Sequence, residues 1–180
     1  MPKRIVLAAL LVGISTTAGA EVLATSANGF FLRSQATVAA TPDKTYRALV
    51  GEIGRWWNPD HTYSGDAANL SIEARPGGCF CEKLPGGGGV EHGSVLYLAP
   101  GKTLRLAGAL GPLQASGVTG SLTWKLAAEG AGTKMEMTYS VGGYMQEGFE
   151  KMAPLVDSVM SEQFARLKTY AETGKPTAPK

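Results

Sequence analysis

The chain has 180 residues, of which 44% are hydrophobic and 18% charged, with a formal net charge of +2. Near-neutrality, without any Lys/Arg cluster interleaved with aromatics, excludes a nucleic-acid binder, which needs a basic face to displace phosphate counterions. The length suits one domain with a real core, and no internal repeat is present.

Residues 1–20 form a separate object: Lys3 and Arg4 precede an apolar run from Ile5 to Ile14, and the small residues Ala18-Gly19-Ala20 follow. This pattern predicts a secretory signal cleaved before Glu21, because the run is well short of the ~20 residues that span a bilayer. Removing Lys3 and Arg4 from the 17 basic side chains leaves the rest balanced against 15 acidic ones, so the mature domain is close to neutral. Export to the periplasm or beyond is the expectation. Residues 21–28 read as a flexible lead-in, and 29–173 as the folded domain.

Phe30 to Ala39 has a strand composition and ends at Thr41-Pro42-Asp43, where Thr41 suits a helix N-cap and Pro42 the first helical position. Tyr46, Leu49, Val50 and Ile53 supply the apolar side of that helix, Gly51 and Gly54 weaken it, and Asn58-Pro59 ends it after Trp56-Trp57. One helix and two short helices sharing a break fit equally well. His61 to Asn69 reads as a polar loop. Leu70, Ile72 and Ala74 alternate before the turn Arg75-Pro76-Gly77-Gly78. Cys79 to Leu84 and Gly89 to Leu98 then flank the loop Pro85-Gly86-Gly87-Gly88, and a four-residue loop pairs Cys81 with His92 and Glu82 with Glu91.

After a turn at Pro100-Gly101-Lys102 and a strand carrying Leu104 and Leu106, Gly111-Pro112 interrupts the chain. Two clean strands follow. Leu122, Trp124 and Leu126 alternate with polar residues in the first, and Met135, Met137, Tyr139 and Val141 in the second, so each has one dry face. From Gly148 to about Thr173 a single long helix carries Phe149, Met152, Val156, Val159, Met160, Phe164, Leu167 and Tyr170 largely on one side. Glu150, Lys151, Asp157, Glu162, Arg166 and Lys168 spread over the other. Some 25 residues at ~1.5 Å each reach ~37 Å, enough to cross a small sheet. Pro154 either starts the regular helix or kinks it. Residues 174–180 read as a disordered tail.

Strand, helix pair, six-strand meander and closing helix is the order of the helix-grip fold, and the chain resembles the SRPBCC superfamily of START-like and polyketide-cyclase-like domains. The resemblance runs through Ala40 to Asp43, Trp56-Trp57, Gly77 to Glu82, Val95 to Leu104, Gly132 to Met135 and the final helix. The branch it looks most like is that of the heat shock protein 90 ATPase activator homologues. The fold so implied is α+β: a curved antiparallel sheet of about seven strands wrapped around a long C-terminal helix, with two short helices after strand 1. The resemblance further implies an apolar cavity between sheet and helix that takes a hydrophobic or amphipathic molecule. The ATP-dependent chaperone partner is not carried over, because an exported domain meets neither that chaperone nor its ATP.

Several constellations bear on chemistry. In a regular strand Cys79 and Cys81 share one face with Cα atoms ~6.5–7 Å apart, which favours two free, buried thiols over a bridge unless a bulge after Gly77-Gly78 shortens the span. With His92 opposite Cys81, the three side chains also form a soft ligand set, with His61 in reach as a fourth from its loop, although no bound metal and no cofactor are expected. Glu82 opposite Glu91 would raise one carboxyl pKa, so Glu82, Glu91 and His92 are the acid/base candidates.

Trp56 and Trp57 sit near the mouth implied by the fold, and Cys81, Leu106, Leu110 and Trp124 are assigned to the cavity with them. Met137, Tyr139, Met152 and Val156 complete the candidate lining. Tyr144 is a further candidate for orienting a polar ligand group. No Gly-x-Ser-x-Gly elbow or metal-protease motif appears. The sequence therefore favours a monomeric, exported binder of a small hydrophobic ligand: a lipid, polyketide or aromatic metabolite. An acid/base enzyme of cyclase, dehydratase or hydrolase type is the second reading, and a protein-interaction module with an exposed apolar patch the third.

Overall fold

A computed structural model describes residues 20–176. Residues 1–19 of the expected signal peptide and the last four residues of the tail lie outside the described residues. The frame is an eight-stranded antiparallel sheet built on the two strands with the strongest alternation, β7 (Gly117–Glu129) and β8 (Gly132–Tyr144), paired along their whole lengths. Leu122, Trp124 and Leu126 from β7, and Met135, Met137, Tyr139 and Val141 from β8, are all buried, as the period of two requires. A tight turn joins the strands, with Gly130 at φ 57°, a conformation that costs glycine nothing.

β2 (Gly29–Val38) pairs with the other edge of β8, and β1 (Ala20–Ser26) pairs with β2. Residues 21–26 are thus sheet, where the sequence reading had a flexible lead-in. Most of β1's side chains from Glu21 on are exposed, so the strand is held by ladder hydrogen bonds and shows no amphipathic alternation. On the far side run β6 (Thr103–Ala107), β5 (Gly89–Ala99), β4 (Cys79–Lys83) and β3 (Leu70–Ile72), giving the order β1-β2-β8-β7-β6-β5-β4-β3.

Two short helices follow β2. α1 (Pro42–Gly51) starts with the Thr41 hydroxyl accepting from the Lys44 N–H at 3.3 Å, and α2 (Ile53–Trp56) follows a break at Glu52. The closing helix, α3 (Phe149–Thr173), spans 25 residues and ends on Gly174, whose φ of 78° lets its N–H reach the Tyr170 carbonyl at 2.8 Å. Pro154 lies inside α3 at an exposed position, as does Glu150, whose carbonyl it deprives of the usual N–H partner.

α3 packs tightly at its C-terminal half. Phe164 stacks on Trp124, with ring centroids 5.8 Å apart and planes 10° from parallel, and Leu167 and Tyr170 are buried beyond it. Arg166, which the sequence reading put on the polar face, is buried. Its Nε donates to the Trp56 carbonyl at 2.7 Å, and the Asn58 N–H donates to Gln163 Oε1 at 2.9 Å. The end of α2 is thereby tied to α3, because carbonyls at a helix C-terminus need donors from elsewhere. Among the described residues, no helix is long and apolar enough to cross a membrane.

Candidate functional site

The N-terminal half of α3 packs Phe149 against Phe30 of β2, with ring centroids 6.0 Å apart, and on its other flank stands off the β3–β5 end of the sheet. Between them lies a cavity of about 570 Å³, walled along α3 by Met152, Val156, Val159 and Met160 and on the opposite side by Trp57, Leu70, Phe80 and His92. Asp60, His61, Thr62, Tyr63, Leu110, Gly111, Pro112 and Leu155 complete the lining, and the exposed members of this group mark the mouth. Tyr63 crosses that mouth: its hydroxyl donates to the Gly111 carbonyl at 3.0 Å. A more open depression of about 630 Å³, around Pro42, Pro100 and Lys102, contains none of the candidate site residues.

One buried polar pair serves the cavity. His92 Nε2 lies 3.0 Å from Glu82 Oε2, and the two residues are 6% and 1% exposed. Glu82 also accepts the Tyr63 N–H at 3.1 Å and the Ser64 N–H at 2.5 Å, so the loop after α2 wraps the carboxylate with donors. Burial alone would push the Glu82 pKa up. The hydrogen bonds from Ser64, Tyr63 and His92 outweigh burial and hold it below the usual carboxylate range. For His92 burial is the larger effect and lowers the pKa, against an opposing pull from Glu82. The resting pair is therefore a carboxylate beside a neutral imidazole.

A register slip creates this pair. The expected pairing holds at Cys79↔Ser94 and Phe80↔Gly93, then slips by one to Cys81↔Glu91 and Glu82↔Val90, leaving His92 as the extra residue of a bulge in β5. Glu82 does not face Glu91, which is exposed and takes no part in the cavity. Unbulged pairing would set His92 beside Cys81, on the face away from Glu82. The bulge turns it inward instead.

The cysteines overturn the free-thiol expectation as well. Cys79 and Cys81 form a disulfide with Cα atoms 5.3 Å apart, closer than regular strand spacing allows and accommodated at the same bulge. Both lie half-buried on the face opposite Phe80 and Glu82, so Cys81 is not in the cavity lining. Their mutual bond removes two thiolates from the Cys79/Cys81/His92 metal set. Among the described residues no other cluster of three His, Cys, Asp or Glu side chains suits a metal ion.

Of the other assigned lining residues, Trp57, Leu110, Met152 and Val156 border the cavity. Trp56, Leu106, Trp124 and Met137 are solid core instead; Trp56 is fully buried, with its Nε1 donating to the Ala48 carbonyl at 2.8 Å. Tyr139 is core too: its hydroxyl donates to the Gly108 carbonyl at 3.0 Å and accepts the Leu110 N–H at 3.1 Å, while burial pushes its pKa up to about 12. It positions the Leu110 segment from below. Tyr144 is 73% exposed at the end of β8.

Phe80 and Tyr63 are among the lining residues that sequence reasoning missed, with Leu70, Val159 and Met160. Their rings flank His92, with centroids 4.9 and 6.0 Å away. Phe80 alternates with the two cysteines in β4, a signal that was readable once one face of that strand had been chosen.

The comparisons agree with this architecture. CalU16 from Micromonospora echinospora superposes with a TM-score of 0.59 at 18% identity, over 91% of this chain and 87% of its own. The Aha1 dimer protein from Colwellia psychrerythraea gives 0.57 at 19%, over 81% and 98%, and a Rhizobium leguminosarum protein 0.59 at 21%, over 87% and 99%. At such identities the likeness shows a shared helix-grip fold. No curated protein matches the chain. The family model for "Activator of Hsp90 ATPase homolog 1-like protein" matches residues 39–172, which covers most of the sheet and all but the last residue of α3. The chain belongs to that family, within the SRPBCC superfamily of helix-grip domains.

Proposed function

We propose that this protein is an exported, monomeric carrier or receptor of a small hydrophobic or amphipathic molecule, a lipid, polyketide or aromatic metabolite, held between α3 and the β3–β5 end of the sheet. The observation that carries this reading is the contrast in the cavity wall. Met152, Val156, Val159, Met160, Trp57, Phe80 and Leu70 are apolar, while a buried polar pair, Glu82–His92, stands behind them and a half-buried one, His61–Glu162 at 3.1 Å, borders the same space. An apolar concavity with few, fixed polar groups is the usual form of a small-molecule site. Export is supported by the basic-apolar-small pattern of residues 1–20 and by the Cys79–Cys81 disulfide, which persists in oxidising compartments. Neither metal, cofactor nor ATP-dependent chaperone enters this reading.

Titration with an environment-sensitive apolar fluorophore tests it. Saturable binding at one site, abolished when Val156→Trp fills the space, is the expected result; a fluorophore that ignores the substitution contradicts the assignment. A second reading, a cavity enzyme, is favoured by one observation: an imidazole oriented by a buried carboxylate is the arrangement of a general base. In that reading His92 takes the proton and Glu82 orients it. Glu91 has no role.

A further inference from the structure

We infer that the ligand of this cavity is an aromatic molecule bearing a hydrogen-bond-donating hydroxyl, a phenol or enol, and that Nδ1 of His92 is the acceptor of that hydroxyl. The inference rests on the cavity-binding reading and adds the chemical class of ligand to it.

The Glu82 carboxylate has no proton to give, and it already accepts the N–H groups of Tyr63 and Ser64. The 3.0 Å contact with His92 must then be an Nε2–H donated by the ring. A neutral imidazole with its proton on Nε2 has a lone pair on Nδ1. The described residues provide no hydrogen-bond partner for that atom, while the ring itself borders the cavity. Glu82 thus fixes the tautomer and leaves Nδ1 as the acceptor of a ring that lines the cavity. It also strengthens that acceptor, because a carboxylate behind an imidazole raises the basicity of the far nitrogen.

The shape of the wall supplies the rest. Phe80 and Tyr63 flank the His92 ring, and Trp57 lies 5.8 Å from Phe80 with its ring tilted by 68°. Aromatic edges and faces in these orientations accept a flat aromatic body by offset or edge contact. The Trp57 Nε1 is taken by the His61 carbonyl at 3.0 Å, so it does not offer a competing donor. A ligand group presented to His92 must therefore bring its own proton. An ether or ketone oxygen in that position would set lone pair against lone pair.

Paired probes test this: 4-phenylphenol and its methyl ether, 4-methoxybiphenyl, titrated into the full-length mature protein by calorimetry or fluorescence. The ether is the more apolar of the two, so burial alone favours it, and any preference for the phenol reports the hydrogen bond. We expect the phenol to bind about tenfold more tightly, the factor that one modest hydrogen bond confers. In His92→Phe the preference should vanish while the ether still binds. Because that substitution removes the His92 hydrogen bond from the buried Glu82 carboxylate, the wild-type protein gives an independent readout. Its His92 ¹⁵Nδ1 resonance should shift with the phenol and stay in place with the ether. Equal affinity, or preference for the ether with no Nδ1 response, overturns the inference while leaving the cavity reading intact. Failure of both probes to bind overturns both.

Discussion

His92 Nε2 and Glu82 Oε2 are 3.0 Å apart inside the domain, although regular pairing of their strands would send the two side chains to opposite faces. The bulge that reverses His92 sets a buried polar pair at the inner wall of a cavity whose other polar lining residues are Asp60, His61, Thr62 and Tyr63. Removing Glu82 leaves the buried His92 Nε2–H without its acceptor, and removing His92 takes one hydrogen bond from a buried carboxylate, each at a cost larger than that of a typical surface contact. Glu82→Ala is expected to lower the unfolding free energy by about 2–4 kcal/mol, since the Tyr63 and Ser64 N–H groups lose their acceptor as well. Glu82→Gln, which keeps an acceptor oxygen, should lose roughly half of that. Urea unfolding measures both, and a Glu82→Ala loss under about 0.5 kcal/mol contradicts a buried, hydrogen-bonded carboxylate.

The same pair sets the pH response. Glu82 has a lowered folded pKa, so its contribution is present above the unfolded value and disappears as pH falls through the folded one. His92 is also lowered in the fold, by burial first; its unfolded form takes up a proton near pH ~6.5 while the native form resists. Both effects have one sign, and stability should fall as pH drops from 7 to 4. The upper part of that fall belongs to His92. Unfolding measured at pH 7, 6 and 5 should show a shallower slope in His92→Phe, and an unchanged slope would remove His92 from the account.

The Cys79–Cys81 bridge lies on β4 directly opposite the β5 bulge at His92, and the ring of Phe80 between the cysteines has its centroid 4.9 Å from that of His92. Closing so short a loop restricts the unfolded chain little, so Cys79→Ala/Cys81→Ala should cost no more than about 2 kcal/mol overall. Its local effect should be larger. Freed from the bridge, β4 can return to regular spacing, and the His92 imidazole resonances should broaden or move. Mass spectrometry after alkylation should find no free thiol before reduction and two after it. Quantitative labelling of the unreduced protein would show that the bridge does not form.

Tyr63 spans the mouth to Gly111 with an exposed side chain, so its hydrogen bond bears on access more than on stability. Tyr63→Phe should change the unfolding free energy by less than about 1 kcal/mol and speed the release of a bound apolar fluorophore several-fold in stopped flow. An unaltered release rate would mean that ligands leave by another route.

What was legible in the sequence follows from how much each feature depends on neighbours. Leu122, Trp124 and Leu126 facing Met135, Met137 and Tyr139 are large apolar residues at period two, and Thr41-Pro42 is a local cap; both carry their own signal. The stripe of α3 was equally plain. β1 was not, because an edge strand with mostly exposed side chains has no dry face to announce it. Arg166 was misassigned because charge reads as exposure, whereas a guanidinium can be buried where helix-end carbonyls receive it. The site depended on a register, and one inserted residue redirects His92 while leaving composition and periodicity almost unchanged. The cavity lining was half legible for a related reason: Trp57, Met152 and Val156 border space and Trp56, Trp124 and Met137 do not, a distinction set by where α3 leaves the sheet.

The central claim is that the space beside Val156 and His92 holds an apolar molecule. Native mass spectrometry of the protein purified from its own cells tests it most directly. We predict a second species heavier than the bare chain by one small organic molecule, lost on mild activation and missing from Val156→Trp. A bare mass in both proteins, with no uptake of added lipid or aromatic probes, would contradict it.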